Sequence, residues 1–244
     1  MKRPTKKMEY IETFDEGPGG WFCFDRDQAN GPVAPEISDG AIISRGPWWV
    51  DPNHAPPGAG YLHLVFVLYM IRALADLKEI RDVSGPNRFV EGGFPTDLRN
   101  AKLHIRIRGD VNLRGAQLVL LAQSDISKDP NHPNWVNQVL SSQPVKITPR
   151  WSEQTLHLTT NQRKWTPLGG RHDTLDFYGK GPIKEVLRNM NGDIIFVLFP
   201  LDVAPSHPID GDPHILSAYT DYKPDRSRLP EGYVMMDEVR IEYP

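Results

Sequence analysis

Short runs of β-type residues, separated by turn-rich loops, constrain this chain more than any other feature. The apolar runs are continuous or alternating, and the segments between them are rich in Pro, Gly, Asn and Asp. The clearest runs are residues 41–44, 61–70, 102–108, 117–123, 154–159, 193–201 and 233–243. Alternation is the period of a strand with one buried face, and a continuous short run is typical of a fully buried strand. About nine strands in all predict an all-β, two-sheet sandwich with long loops.

Helical patterns are scarce in the same chain. Residues 182–190 predict one short helix, because Ile183, Val186, Leu187 and Met190 share a face and Asn191-Gly192 ends it. A helix within 67–77 is the alternative to a strand that continues to Met70. One or two short helices do not support a βαβ fold.

The length of 244 residues fits a single domain over 1–244, with residues 1–9 as a flexible N-terminal tail. The net charge of −3 comes from interspersed acids and bases, which excludes the basic footprint of a nucleic-acid or anionic-membrane binder. Cys23 is the single cysteine, so no disulfide forms within the chain. The basic N-terminus is followed by no apolar run, which predicts a cytoplasmic protein unless a leader was removed. Oligomeric state is open.

The two ends of the chain contain segments that resemble those of a known family. Residues 14–21 read Phe-Asp-Glu-Gly-Pro-Gly-Gly-Trp, and residues 232–243 form an alternating strand that contains Asp237. Two inner stretches, 97–103 and 147–158, follow in matching order. Together these segments resemble a carbohydrate-binding-module-like jelly roll of the galactose-binding-like β-sandwich superfamily.

The resemblance implies adjacent terminal strands, a carbohydrate ligand and a structural calcium ion. Glu12, Asp15 and Asp237 are the expected calcium ligands, with backbone carbonyls completing the shell. The alternative partner for the buried acid of the last strand is an arginine such as Arg240 or Arg106.

The loop from Gly46 to His63 is the strongest candidate binding segment. Four prolines stiffen it, and a rigid loop loses little entropy when it closes on a ligand. Sugars stack on aromatic rings while amides, acids and imidazoles bind their hydroxyls. The side chains with that chemistry are Trp48, Trp49, Asp51, Asn53, His54 and His63. The alternatives are that the tryptophans cap the sandwich and that His63 is structural.

Two further loops carry the same chemistry. One offers His132 and Trp135, and the other offers Trp165, His172 and Tyr178. If the loops gather at one end of the sandwich, they form an aromatic- and His-lined cleft.

Three functions remain open from the sequence. The first is recognition of an oligo- or polysaccharide through that cleft. The second is a stand-alone glycoside hydrolase or polysaccharide lyase, with Asp51, His54 and His172 in catalytic acid–base roles. The third is an intracellular protein-assembly factor on the same fold.

Overall fold

Two antiparallel β-sheets face each other in the computed structural model, which confirms the prediction of an all-β, two-sheet sandwich. The structure describes residues 8–24, 31–46, 48, 61–129, 131–168, 181–202 and 226–244. The strands of this part are, in chain order, β1 (Glu9–Glu12), β2 (Trp21–Phe24), β3 (Pro32–Val33), β4 (Glu36–Ser38), β5 (Ala41–Arg45), β6 (Tyr61–Tyr69), β7 (Lys102–Asn112), β8 (Gln117–Asp125), β9 (Trp135–Val139), β10 (Ser152–His157), β11 (Thr166–Leu168), β12 (Asp193–Leu201) and β13 (Glu231–Glu242).

Sheet A has the order β10-β7-β13-β5-β4, and β1 also pairs with β13. Sheet B has the order β11-β9-β8-β12-β6-β2-β3. The pairing of β1 with β13 places Tyr10 opposite Ile241, which confirms that the terminal strands are adjacent. One edge of the sandwich therefore has β4 and β5 of sheet A on one side and β2 and β3 of sheet B on the other.

The main core lies between the two sheets. Trp21 and Phe196 stack with ring centroids 6.2 Å apart, and both rings are fully buried with Ile42 and Leu103. In β6 the pairing with β12 skips Val65, so Val65 and Phe66 both join this core. This bulge leaves Leu62 and Leu64 on the outer face of sheet B, in a second apolar cluster. His63, between them in sequence, lies on the core side.

Four short α-helices interrupt the strands in the described part of the chain. They are α1 (Arg72–Ala75), α2 (Lys78–Ser84), α3 (Arg88–Glu91) and α4 (Ile183–Arg188), and short 3₁₀ turns occur at Gln162–Lys164 and Arg226–Arg228. α4 confirms the predicted helix, whereas the prediction of one or two helices missed α2 and α3 within a presumed loop. Asn87 starts α3 by accepting a hydrogen bond from the Val90 amide, and the Phe89 ring packs 5.3 Å from that of Tyr10.

The described residues contain no helix long and apolar enough to cross a membrane.

Candidate functional site

A cleft opens at the sandwich edge where β5 meets β2 and β3. Its volume is about 250 Å³. Its base is formed by Cys23, Ser44, Trp48 and His63, and Glu36 and Arg45 lie at its rim. We call this site the edge cleft. It lies at the two ends of the proline-rich loop, since Trp48 comes near the start of that loop and His63 just after its end.

Trp48 and His63 are held together in the protein interior. Their ring centroids are 6.4 Å apart, and they are only 2% and 1% exposed. The Trp48 indole nitrogen donates a hydrogen bond of 2.9 Å to the Ser44 hydroxyl. This placement agrees with the alternative in which Trp48 caps the sandwich. Direct contact of either side chain with a sugar stays a prediction.

The rim of the edge cleft carries a two-point ion pair. Arg45 donates to both carboxylate oxygens of Glu36, at 2.6 and 3.0 Å, and its guanidinium lies 5.6 Å from the centre of the Tyr233 ring. The hydrogen bond from Arg45 lowers the pKa of Glu36, so this carboxylate is charged at neutral pH. The rim therefore presents one fixed acceptor and one fixed donor to solvent.

Cys23 at the base of the cleft is chemically quiet. Burial raises the pKa of its thiol to about 12. Because the thiolate is the nucleophile, a thiol with this pKa does not attack substrates at neutral pH.

His132 and Trp135 occupy a different end of sheet B. His63 pairs with Leu198 of β12, whereas the loop that holds His132 follows the strand end at which Gln123 pairs with Asp193. The His132 side chain is 84% exposed, and its Nδ1 lies 2.8 Å from Oδ2 of Asp129. His132, as the largest influence, lowers the pKa of Asp129.

Trp135 and Trp165 are both engaged in packing. A β-carbon added to Gly192 would come within 2.9 Å of the Trp135 ring, so this glycine admits the indole. Trp165 is buried and donates a hydrogen bond of 2.9 Å to the Thr159 carbonyl. It precedes β11, at the opposite edge of sheet B from β3. The structure therefore does not bring the predicted loop aromatics of the described part to one place.

Six predicted site residues lie outside the described residues. They are Trp49, Asp51, Asn53, His54, His172 and Tyr178. Their binding and catalytic roles stay predictions.

Glu12, one of the predicted calcium ligands, is bound by an arginine. Its side chain is 3% exposed, and its carboxylate accepts hydrogen bonds from Arg88 Nε at 2.7 Å and from Arg88 Nη2 at 2.6 Å. The same guanidinium donates to the carbonyls of Glu16 and Gly17, at 3.3 and 2.9 Å. A ring of oxygens thus surrounds a positive charge that the chain itself supplies.

The other two predicted ligands have separate contacts. Asp15 accepts a hydrogen bond of 2.7 Å from the Thr13 hydroxyl, and Asp237 is ion-paired with Arg106. Across the described ranges, no three or more His, Cys, Asp or Glu side chains are grouped so as to hold a metal. The calcium site stays a prediction, and the arginine named as the alternative partner of the last strand is present.

A cluster that the sequence did not single out lies on the outer face of sheet A. Trp151 precedes β10, and the guanidinium carbons of Arg106 and Arg108 lie 5.0 and 4.8 Å from the centre of its ring. Arg106 and Arg108 alternate with buried residues along β7, so both lie on the outer face of that strand. The pairing of β7 with β10, which brings Trp151 to them, could not be obtained from the sequence.

No protein-family model matches this chain. No curated protein matches it either. A solved structure described as "Prominent members of the human gut microbiota express endo-acting O-glycanases to initiate mucin breakdown" is similar with a TM-score of 0.39 at 12% identity, over 96% of this chain and 98% of that chain. The L4b domain of human laminin alpha-2 is similar with a TM-score of 0.39 at 8% identity, over 98% and 99%. Likeness at this level assigns no family, and the galactose-binding-like resemblance stays a prediction.

Proposed function

We propose that the protein recognises a carbohydrate at the edge cleft. The observation that carries the proposal is the contact of Trp48 with His63, which fixes both ends of the proline-rich loop at the base of a cleft with a charged rim. Binding loops are commonly held in this way by a rigid scaffold. A concave site with a few convergent polar groups is the form that small-molecule sites take.

The chemistry of the rim suits a sugar. A sugar hydroxyl both donates and accepts hydrogen bonds, and the Glu36 carboxylate and Arg45 guanidinium supply one acceptor and one donor side by side. Phe24 adds an aromatic wall to the cleft. At about 250 Å³ the cleft is just below the roughly 300–1,000 Å³ of sites for drug-sized ligands. It suits a single sugar unit or a chain end.

The test is a binding survey with rim variants. Neutral and acidic oligosaccharides are titrated into the protein by calorimetry, and the ligand that binds is repeated with Arg45→Met and Glu36→Gln. Because charged hydrogen bonds are lost, we expect affinity to fall by about tenfold or more in each variant. The melting temperature should stay close to that of wild type in both variants, since the pair is exposed.

Arg188→Met is the matched control. Arg188 is as exposed as Arg45 and pairs with Glu185 at 2.8 Å, but it lies on α4, which packs on β8 and β9. Binding should be unchanged in this variant. Equal loss in all three variants, or no binding by any oligosaccharide in the survey, would contradict the proposal.

A further inference from the structure

The chain segment that crosses from β1 of sheet A to β2 of sheet B encloses a positive charge in oxygen atoms. These oxygens belong to the Glu12 carboxylate and to the carbonyls of Glu16 and Gly17, and we call them the oxygen cage. Arg88 of α3 fills the cage, because its Nε, Nη1 and Nη2 atoms all donate hydrogen bonds to it. A carboxylate combined with backbone carbonyls is also the kind of ligand set that calcium takes. The chain therefore supplies its own cation to oxygens that would suit a metal ion.

The guanidinium uses both oxygens of the central carboxylate. Oε2 of Glu12 accepts from Arg88 Nε at 2.7 Å, and Oε1 accepts from Arg88 Nη2 at 2.6 Å. Oε1 also accepts a hydrogen bond of 3.0 Å from the Phe14 amide. Because the Glu12 side chain is only 3% exposed, its charge is balanced by the arginine and not by solvent. A metal ion at Glu12 would have to displace Arg88.

The glycine-rich turn closes tightly over this ion pair. Gly19 has a φ of 62°, and a β-carbon at this position would overlap Glu12 Oε2 and lie 2.8 Å from Arg88 Nη2. The Gly19 carbonyl in turn accepts a hydrogen bond of 3.1 Å from the Arg88 amide. Only glycine combines this backbone conformation with so close an approach. The presence of glycine at this position is therefore explained by the ion pair itself.

Two of the predicted calcium ligands lie on different faces of sheet A. Glu12 is the register partner of Val239, which belongs to the core, so Glu12 points to the core side of the sheet. Asp237 is ion-paired with Arg106, which lies on the outer face of β7. The two carboxylates therefore do not converge on one ion.

We propose that the Arg88 guanidinium takes the place of a structural metal ion in this chain, so that the crossover from β1 to β2 is held without calcium. The neighbouring Asn87 donates a hydrogen bond of 2.8 Å to the carbonyl of Tyr69, at the end of β6. The start of α3 thus joins Glu12 of sheet A to Tyr69 of sheet B. The proposal does not rest on carbohydrate recognition, because the edge cleft is lined by other residues.

The experiment measures thermal unfolding of wild type and Arg88→Ala in calcium chloride, in EDTA and in methylguanidinium chloride. Wild type should melt at the same temperature with calcium as with EDTA, because its cage already holds a cation. Arg88→Ala should melt roughly 6 °C or more below wild type, since the buried Glu12 carboxylate loses its partner. Methylguanidinium should raise the melting temperature of Arg88→Ala relative to wild type, because an ion that binds the folded state stabilises it.

Arg45→Ala is the matched control for the added ion. Arg45 binds both oxygens of Glu36 as Arg88 binds those of Glu12, but the Arg45 pair is exposed. Methylguanidinium should therefore affect Arg45→Ala no differently from wild type. The double variant with Glu12→Gln and Arg88→Ala removes the buried charge as well. It should melt above Arg88→Ala and lose the response to methylguanidinium.

Two outcomes would overturn the proposal. The first is a wild-type melting temperature that rises in calcium chloride and no longer does so in Glu12→Gln, which would place a calcium ion at Glu12. This measurement needs no variant of Arg88, so it decides the question even if Arg88→Ala does not fold. The second is a methylguanidinium response of Arg88→Ala equal to that of wild type and of Arg45→Ala, which would show that the emptied cage has no affinity for a cation.

Discussion

The two sheets of the sandwich differ on their outer faces. The outer face of sheet A carries ion pairs, such as Lys102 with Glu242 and Arg106 with Asp237. They border a small apolar cluster of Ala41, Ile43 and Met235, against which Trp151 and Tyr233 pack. The outer face of sheet B is apolar and buried. Its buried members are Phe22, Leu62, Leu64, Val67, Val119, Leu121, Val139, Leu168, Ile195 and Val197, joined by Ile80 of α2.

This difference explains the two sequence patterns of the strands. β7 faces the core with one side, so buried and half-buried residues alternate along Lys102–Arg108. β6, β8 and β12 are buried on both sides and read as continuous apolar runs. A ligand that needs polar contacts therefore has far more of them on sheet A than on sheet B.

The largest expected effect is a charge on the outer face of sheet B. Val197→Asp should destabilise the protein by about 4 kcal/mol or more, because Val197 is fully buried between Leu64 and Val119 and the carboxylate would have no partner. Urea unfolding measures the change.

Thr155→Asp introduces the same carboxylate on the outer face of sheet A. Thr155 is exposed and lies 2.9 Å from the His104 ring, so its free energy of unfolding should move by no more than about 0.5 kcal/mol. Similar losses in the two variants would show that the two faces do not differ as described.

The next largest expected effect is a difference in stability between two tryptophan variants. One tryptophan lies between the sheets, and the other lies on the outer face of sheet A. Trp48→Ala should cost about 3–5 kcal/mol, since it empties a buried indole site. Trp151→Ala should cost about 1 kcal/mol, because the ring is half-buried and loses mainly its contacts with two guanidinium groups. Thermal unfolding measures both changes. Trp48→Phe is the conservative control, because it keeps a packed ring but loses the hydrogen bond to Ser44. A melting temperature of Trp48→Ala equal to that of wild type would refute the core position of Trp48.

Two ion pairs give the third comparison. Arg88→Met should cost about 3 kcal/mol, because it leaves the buried carboxylate of Glu12 without its partner. Arg45→Met breaks an exposed pair of similar geometry and should cost no more than about 1 kcal/mol. If both variants lose the same stability in urea, burial is not what makes the Glu12 pair important.

Calcium can be tested on the same samples. A bound ion stabilises the folded state by mass action, so the melting temperature should rise with calcium and fall with EDTA if the predicted site exists. Loss of that response in Asp237→Asn would identify the ligand. A response that is absent in wild type would leave Arg88 as the only cation at Glu12.

The positions of most of the main strands could be predicted from the sequence. β12 was predicted with its observed bounds, and the main β7 and β13 segments followed from alternation, because period two is a local property of the chain. The candidate site was harder to predict from the sequence. Trp48 and Trp151 look alike in sequence, and only the pairing of distant strands makes one a core ring and the other a surface ring. Charge pairing is also non-local, since Glu12 and Arg88 are 76 residues apart.

The smallest expected effect concerns two aspartates that each lie beside an arginine. Their pKa values are shifted in opposite directions. Hydrogen bonds from Arg99 lower the pKa of Asp97. Burial, which outweighs the attraction of Arg106, raises the pKa of Asp237 beside Arg108 and Glu238. The contribution of Asp97 to stability is therefore present above its unfolded pKa of about 3.9 and is lost as pH falls through its folded value. At neutral pH the charged Asp237 carboxylate destabilises the folded state. This destabilisation disappears as pH falls through the raised pKa of Asp237 toward its unfolded value of about 3.9.

Urea unfolding of wild type, Asp97→Asn and Asp237→Asn over a pH series tests this difference. Between neutrality and about pH 4, wild type should gain stability relative to Asp237→Asn, and below about pH 4 it should lose stability relative to Asp97→Asn. Each change should stay below about 1 kcal/mol, since both carboxylates have an arginine partner that is partly in solvent. A wild-type curve that falls relative to Asp237→Asn on acidification would mean that Arg106 outweighs burial.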